Sequence, residues 1–207
     1  METVATRARA AAQTQAFILA GGRGRRLGCD KARMLVGGEP LVRLLAARLA
    51  PHVAAVWLVG KRDQGLEDLG LPVVHDREAG RALVHGIRTA LETPGPPWRF
   101  VVACDMPGVG ADLLLELWRT AVAAGAPGCC LQKEGCEDVE PLPSLWHADL
   151  AAAASDSWGF GARAWVRRAG LAILPLAAAE AARLENLNTP EEWLAYRERG
   201  AERSMPT

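Results

Sequence analysis

Residues 17–32, FILAGGRGRRLGCDKA, join a short apolar run to a glycine-rich, cationic loop. The apolar residues 16–20 predict a buried β-strand, which Gly21 and Gly22 follow directly. Glycines at this point let an anion approach the backbone, because no Cβ blocks it, and successive N–H groups there form an anion-binding concavity. The stretch therefore predicts a strand that runs into a phosphate-binding loop. A basic surface loop with a glycine turn is the alternative.

The charge around this loop is a local excess in a neutral chain. The whole chain has 24 basic and 24 acidic residues. Five basic residues surround the single acid Asp30, and this excess suits a polyphosphate: Arg23, Arg25, Arg26, Lys31 and Arg33. Two common phosphate motifs are absent, because the third glycine of G-x-G-x-x-G would fall at Leu27 and no Gly-Lys-Ser/Thr follows.

Length and composition limit the class of protein. The 207 residues suit one ordinary domain, and half of them are hydrophobic, as in soluble globular proteins. A pI near 6.9 argues against general nucleic-acid binding, and the absence of a run of 18 apolar residues argues against a membrane span. We expect a flexible N-terminal tail at 1–15, a single domain at 16–200 and a C-terminal tail at 201–207.

The cysteines are odd in number and show no C-x-x-C spacing. Three of them lie close enough in sequence to suggest a zinc site, but ordinary reduced thiols are the favoured interpretation. Free thiols are typical of the reducing cytoplasm, where we expect this protein to be located. The five are Cys29, Cys104, Cys129, Cys130 and Cys136.

Apolar runs alternate with helical patterns along the chain. This alternation predicts right-handed βαβ crossovers and an α/β fold whose central sheet is mostly parallel. Region 133–185 is less regular, and we interpret it as an insertion or lid over the sheet edge. The predicted strands are 16–20, 54–60, 71–76, 99–105 and 128–132, and the predicted helices are 40–50, 81–92 and 111–125, the last with Gly125 as its C-cap.

Ligands of such sheets bind outside the carboxyl ends of the strands. Lys61, Asp76 and Asp105 each follow a predicted strand, so we expect them at the same edge as Gly21 and Gly22. Asp105 is the best candidate for a metal ligand, since Mg²⁺ prefers carboxylate oxygens. The structural alternatives are a cap for the next segment at Asp105 and a turn residue at Asp76.

Three motifs in this order resemble the molybdenum cofactor guanylyltransferases. The first is L-A-G-G-x-x-x-R-L-G-x-D-K over 19–31, and the others are ACDMPG at 103–108 and ENLNTPEEW at 185–193. The resemblance runs from about residue 16 to about residue 195. It implies a Rossmann-like three-layer nucleotidyltransferase fold. It also implies transfer of GMP from GTP to the terminal phosphate of molybdopterin, with release of pyrophosphate.

The resemblance also implies roles for particular residues. Catalysis would depend on Asp105, which also binds Mg²⁺, together with Lys31 and Arg26. Asn186 and Asn188 would contact the molybdopterin acceptor, and a molybdoenzyme or insertion chaperone is the implied protein partner. The residues implied in nucleotide binding are Leu19, Ala20, Gly21, Gly22, Lys31, Lys61, Asp76 and Asp105.

The chain departs from the family pattern at Gly24, at 80–87 and at Lys61, where the family often has Asn. These departures leave open a nucleotidyltransferase for another base or acceptor, such as a cytidylyl or sugar-phosphate enzyme. A nucleotide-binding regulator without turnover is the third hypothesis. The structural alternative for Lys31 and Arg26 is that both are solvated charges on the protein surface.

Local patterns near the C-terminus also have structural explanations. Thr189, Pro190 and Glu192 predict a capped helix start. In an extended segment, Asn186 and Asn188 would point to one face and Leu187 to the other, although such asparagines also tie down turns. We assign structural roles to three other residues: His75, His85 and Trp118.

Overall fold

A computed structural model describes residues 3–21, 30–76, 78, 82–153, 161–177, 179–180 and 184–202. Within these residues a seven-stranded sheet has helices on both sides, and a short β2–β3 hairpin stands apart from it. The strands are β1 Thr14–Leu19, β2 Leu35–Val36, β3 Glu39–Pro40, β4 Ala55–Gly60, β5 Val73–His75, β6 Trp98–Ala103, β7 Gly128–Lys133, β8 Val139–His147 and β9 Ala172–Leu176. The helices are α1 Val4–Gln13, α2 Leu41–Leu49, α3 Leu83–Glu92, α4 Ala111–Ala124, α5 Leu150–Ala153, α6 Ala162–Arg168 and α7 Pro190–Glu202.

The strand order of the sheet is β5-β4-β1-β6-β8-β7-β9. Strands β1, β4, β5 and β6 pair in parallel, as do β7 and β9, whereas β8 runs antiparallel to both of its neighbours. The mostly parallel α/β fold is thus confirmed, as are the five predicted strands. Gly125 ends α4 with φ 58°, a left-handed conformation that glycine adopts without strain.

The prediction of an insertion or lid at 133–185 is wrong for the strands found there. β8 and β9 are members of the central sheet. Strand β8 was not predicted because it contains Pro141 and Pro143, and proline lacks the N–H that a strand ladder needs. In the structure both prolines lie where the β7–β8 register shifts, so fewer ladder hydrogen bonds are required of them.

The prediction of a flexible tail at 1–15 is also wrong for most of that segment. Residues 4–13 form α1, whose alanines are strong helix formers, and β1 starts at Thr14. The Thr3 side chain caps the helix by accepting a hydrogen bond from the Thr6 N–H. Ala10 is buried in the core, and Arg7 reaches Asp112 of α4 at 3.3 Å. The predicted division into a domain at 16–200 and a tail at 201–207 stays a prediction, although α7 includes Glu202.

The main hydrophobic core lies between the sheet and its helices and includes Phe17 and Ile18, which are fully buried. Trp118 belongs to this core, as predicted. A smaller cluster of buried residues comprises Leu41, Leu187 and Trp193. This small cluster packs the segment before α7 against the start of α2, and it thereby brings the C-terminal region beside residues 30–40. Among the described residues, no helix is long and apolar enough to cross a membrane.

Candidate functional site

Four of the predicted site positions meet at the carboxyl edge of the parallel strands. Ala20 follows β1, Lys61 follows β4, Asp76 follows β5, and Asp105 lies two residues after β6. Backbone hydrogen bonds continue the ladder at this edge: the Ala20 N–H donates to Val59 O at 2.8 Å, and the Asp76 N–H to Gly60 O at 2.9 Å. Ala20 and Asp76 are therefore held by the sheet itself.

Three segments distant in sequence bring Lys31, Asp105 and Asn188 together. The Lys31 ammonium lies 2.6 Å from Asp105 Oδ2 and donates to Asn188 Oδ1 at 2.7 Å. The side chains of the ion pair are 13% and 16% exposed, so the two charges are largely removed from water. Solvent screening of this pair is consequently weaker than for the surface pairs of the chain.

Each member of this cluster is positioned by its own local structure. Lys31 starts a short 3₁₀ helix, Lys31–Arg33, which Asp30 caps by accepting from the Ala32 N–H at 3.0 Å. The carbonyl of Asp105 accepts from the Leu187 N–H at 2.9 Å. Because Leu187 is buried and Asn188 is next in sequence, the hydrogen bond to Leu187 also places the Asn188 side chain beside Lys31.

A second ion pair joins Lys61 to Asp76. Lys61 Nζ lies 2.7 Å from Asp76 Oδ2, with exposures of 14% and 8%, and it also donates to Glu78 O at 2.5 Å. Asp76 Oδ1 accepts from the Glu78 N–H at 2.9 Å. Asp76 is therefore held by a turn, which is the structural role anticipated for it, and also by a lysine at the edge where nucleotide is expected.

The segment before α7 has the predicted alternation. Leu187 is buried, while Asn186 is exposed and Asn188 is half-buried. The predicted helix cap is confirmed: the Glu192 N–H donates to Thr189 Oγ1 at 3.2 Å, and Glu192 Oε2 accepts from the N–H groups of Thr189 and Asn188. The turn is thus tied down through the backbone of Asn188, which leaves its amide side chain to contact Lys31.

Comparison with known proteins shows the family of this chain. Residues 16–173 match the family model of the MobA-like NTP transferase domain. The chain belongs to this family. Its fold is that of Archaeoglobus fulgidus molybdopterin-guanine dinucleotide biosynthesis protein A, which is 21% identical, with a TM-score of 0.73 and coverage of 91% of this chain and 99% of that one. As a member of the family, the protein is a nucleotidyltransferase.

Two curated relatives extend the match over most of the chain. A molybdenum cofactor guanylyltransferase of Cereibacter sphaeroides is 36% identical over 189 residues, which cover 85% of this chain and 91% of the relative. A protein of the same name from Serratia proteamaculans is 29% identical over 188 residues, with coverage of 88% and 93%.

The oxygen atoms around Lys31 fit a hard divalent cation. Mg²⁺ is commonly held by one or two carboxylates together with substrate phosphates and waters. Asp105 Oδ2 and Asn188 Oδ1 already bind one cation, the ammonium of Lys31. No group of three or more His, Cys, Asp or Glu residues is arranged for metal binding in the part of the chain that the structure describes, so phosphate oxygens would have to complete such a site.

The cysteines that the structure describes show the features of ordinary thiols. Cys129 and Cys130 are buried in β7, and burial raises their pKa values to about 12 and about 11. Burial, with the charge of Asp105 second, raises the pKa of Cys104 as well. Cys136 is exposed in the β7–β8 turn. Among the described residues these cysteines do not form a zinc site.

The other predicted residues differ in outcome. Gly22 and Arg26 lie outside the described residues, so their roles stay predictions. His75 Nε2 lies 3.0 Å from Glu67 Oε1, a contact typical of a structural histidine.

Sequence reasoning missed Gln64, whose side chain connects Ala20 to Lys61. A glutamine in a polar stretch such as 61–64 has no sequence signal that singles it out.

Proposed function

We propose that this protein transfers GMP from GTP to the terminal phosphate of molybdopterin or the molybdenum cofactor and releases pyrophosphate. The names of the curated relatives support this choice of substrates. The observation that carries the proposal is the meeting of Lys31, Asp105 and Asn188 beside the end of β1, which brings a cation and oxygen ligands to the predicted phosphate loop.

The reaction joins two anions. A terminal phosphate oxygen of the acceptor forms a bond to the α-phosphorus of GTP, while the bond from that phosphorus to the pyrophosphate oxygen breaks. The nucleophile is already ionised at neutral pH, so the reaction needs no general base. Neutralisation of charge and alignment of the reactants therefore supply most of the catalysis.

Different residues of the chain would neutralise charge and align the reactants. Lys31 would leave Asp105 for the triphosphate and stabilise the charge on the leaving group. Asp105, with Asn188, would hold Mg²⁺, which when bound contributes positive charge at the phosphate oxygens. In the part of the chain that the structure describes, no atom lies within 4 Å of a Cβ added at Gly21, so these residues leave room for a phosphate beside this backbone.

Lys61 and Asp76 would form the nucleotide side of the site, because they end the neighbouring strands β4 and β5. Asn186 and Asn188 would face molybdopterin with neutral amides, which do not repel anions as carboxylates would. Delivery of the product to a molybdoenzyme or an insertion chaperone in the cytoplasm belongs to the same proposal.

Nucleotide titration followed by turnover tests the proposal. We expect calorimetry in Mg²⁺ to show tighter binding of GTP than of CTP or ATP. We expect pyrophosphate release from GTP to depend on added molybdopterin. Tighter binding of CTP would refute the guanylyl assignment and leave the fold intact. Tight GTP binding without molybdopterin-dependent release would refute the acceptor instead.

A further inference from the structure

Gln64 is the last residue of the short 3₁₀ helix Arg62–Gln64, which follows β4. Its side-chain Nε2 donates to Ala20 O at 2.9 Å, and its Oε1 accepts from the Lys61 N–H at 2.7 Å. Both polar atoms of one amide thus hold backbone groups, one at the end of β1 and one at the end of β4. These two backbone segments, at Ala20 and Lys61, include residues that are proposed to contact the nucleotide.

Helix capping explains only half of this arrangement. A glutamine at the third position of a helix often accepts from the N–H at the helix start, as Gln64 does from Lys61. The hydrogen bond to Ala20 serves no part of that helix. It satisfies the carbonyl of a buried residue just after β1, where an unpaired backbone carbonyl would be costly.

The hydrogen bond to Ala20 also controls the next peptide group. The Ala20 carbonyl and the Gly21 N–H belong to one planar trans peptide, so they point in opposite directions. When Gln64 holds the carbonyl, it also restricts the direction of the Gly21 N–H, which lies in the same plane and points the opposite way. A glycine peptide has little steric resistance to rotation, so the hydrogen bond from Gln64 restricts the orientations that this peptide can adopt.

Two neighbours hold Gln64 in position. A Cβ at Gly60 would lie 2.9 Å from Gln64 Oε1 and 2.3 Å from Leu66 Cδ1, so the close approach needs glycine there. Arg33 donates to Gln64 O at 3.2 Å and to Gly65 O at 2.8 Å. Arg33 ends the short helix that Lys31 begins, and Gln64 is therefore connected to three of the segments that carry proposed nucleotide contacts, those of Ala20, Lys31 and Lys61.

We propose that Gln64 is a positioning residue for nucleotide binding, which orients the Ala20–Gly21 peptide toward a nucleotide phosphate and holds the backbone of Lys61. This inference rests on the proposed function for the identity of the ligand. Gln64 itself touches no substrate.

Two substitutions separate this role from capping. Gln64→Glu keeps the acceptor for the Lys61 N–H but loses the donor to Ala20 O, and it directs a carboxylate at that carbonyl. Gln64→Met removes both hydrogen bonds at similar size and without a new charge. We expect both variants to weaken binding of Mg²⁺–GTP about tenfold or more, on the scale of an unsatisfied buried hydrogen-bonding group.

Gln132→Met is the matched control, because Gln132 Nε2 also donates to a backbone carbonyl, Glu137 O at 3.2 Å, but in the β7–β8 turn. We expect the control to bind GTP like the parent. For the Gln64 variants we expect the KM for GTP to rise while the KM for molybdopterin stays unchanged. Amide hydrogen exchange at Lys61 should accelerate in Gln64→Met and stay slow in Gln64→Glu.

The outcomes distinguish the two proposals. If the parent binds GTP and Gln64→Glu binds it equally well, Gln64 only caps its helix and this inference fails. If Gln64→Met binds normally while Gln64→Glu does not, the effect is one of charge, and the inference fails again. A parent that binds CTP in place of GTP refutes the proposed function, and the same Gln64 comparison then applies with CTP. A parent that binds no nucleotide overturns both.

Discussion

Removal of the Lys31 ammonium should create a stronger divalent-cation site in the nucleotide-free protein. In the structure this ammonium lies within hydrogen-bonding distance of Asp105 Oδ2 and Asn188 Oδ1, the two oxygens proposed to hold Mg²⁺. Lys31 and the metal therefore compete for the same oxygens until a triphosphate supplies a new partner for the lysine. Lys31→Met leaves those oxygens in place and removes the competitor.

The ion-pair distance gives the scale of the effect. Two unit charges 2.6 Å apart attract by about 6 kcal/mol at an effective dielectric constant of about 20. Residual exposure of both side chains and rotation of the lysine reduce this gross value. We expect at least about 1.4 kcal/mol to survive, which corresponds to tenfold tighter binding of the metal. The unpaired carboxylate of Asp105 should also lower the melting temperature until metal is added.

Titration with Mn²⁺ by electron paramagnetic resonance, without nucleotide, measures this change. Lys133→Met is the matched control, because Lys133 pairs with Glu140 at 2.9 Å on the distant β7–β8 pair. Addition of Asp105→Asn to the Lys31→Met variant should abolish the gain. The reasoning is refuted if Lys31→Met binds Mn²⁺ no more tightly than the parent, or if the control shows the same gain.

Other measurements test the remaining roles. Asp105→Asn should lower turnover by about a hundredfold or more, the scale for loss of one electrostatic stabiliser, and should lower the melting temperature, because Lys31 loses its charge partner; near-normal turnover would remove Asp105 from the mechanism. Asn188→Ala should weaken both GTP binding and transfer, since it removes a partner of Lys31. Asn186→Ala should reduce only transfer to molybdopterin. Equal effects of the two changes on GTP binding would contradict these separate roles of the two asparagines. In a Cys29→Ser background at pH 8, a thiol reagent should label Cys136 rapidly and the buried thiols only on unfolding. The reason is that burial raises the pKa values of the buried thiols and keeps them protonated. Labelling of more than one thiol in the folded protein would contradict the assigned burial of Cys104, Cys129 and Cys130.

Much of the fold was predictable because its signals are local. Strand β1 is an apolar run that ends before Gly21, and the helix after Thr189 has its capping residues within four positions of one another. The common edge of Lys61, Asp76 and Asp105 follows from parallel strand order without any contact being known. The same local reasoning gave wrong predictions for β8, because of its prolines, and for α1, because of its alanine-rich composition. A register shift accommodates the prolines of β8, and α1 is held against α4.

The sequence alone thus determined five strands of the sheet, its binding edge and the residue types available there. Only the tertiary structure decided which of them meet. The contact between Lys31 and Asn188 spans 157 positions, and it depends on the burial of Leu187 and Trp193 against Leu41, which no local pattern specifies. The two hydrogen bonds of Gln64 likewise exist only because β1 and β4 are neighbours in the sheet, so the amide of one loop can reach the backbone of the other.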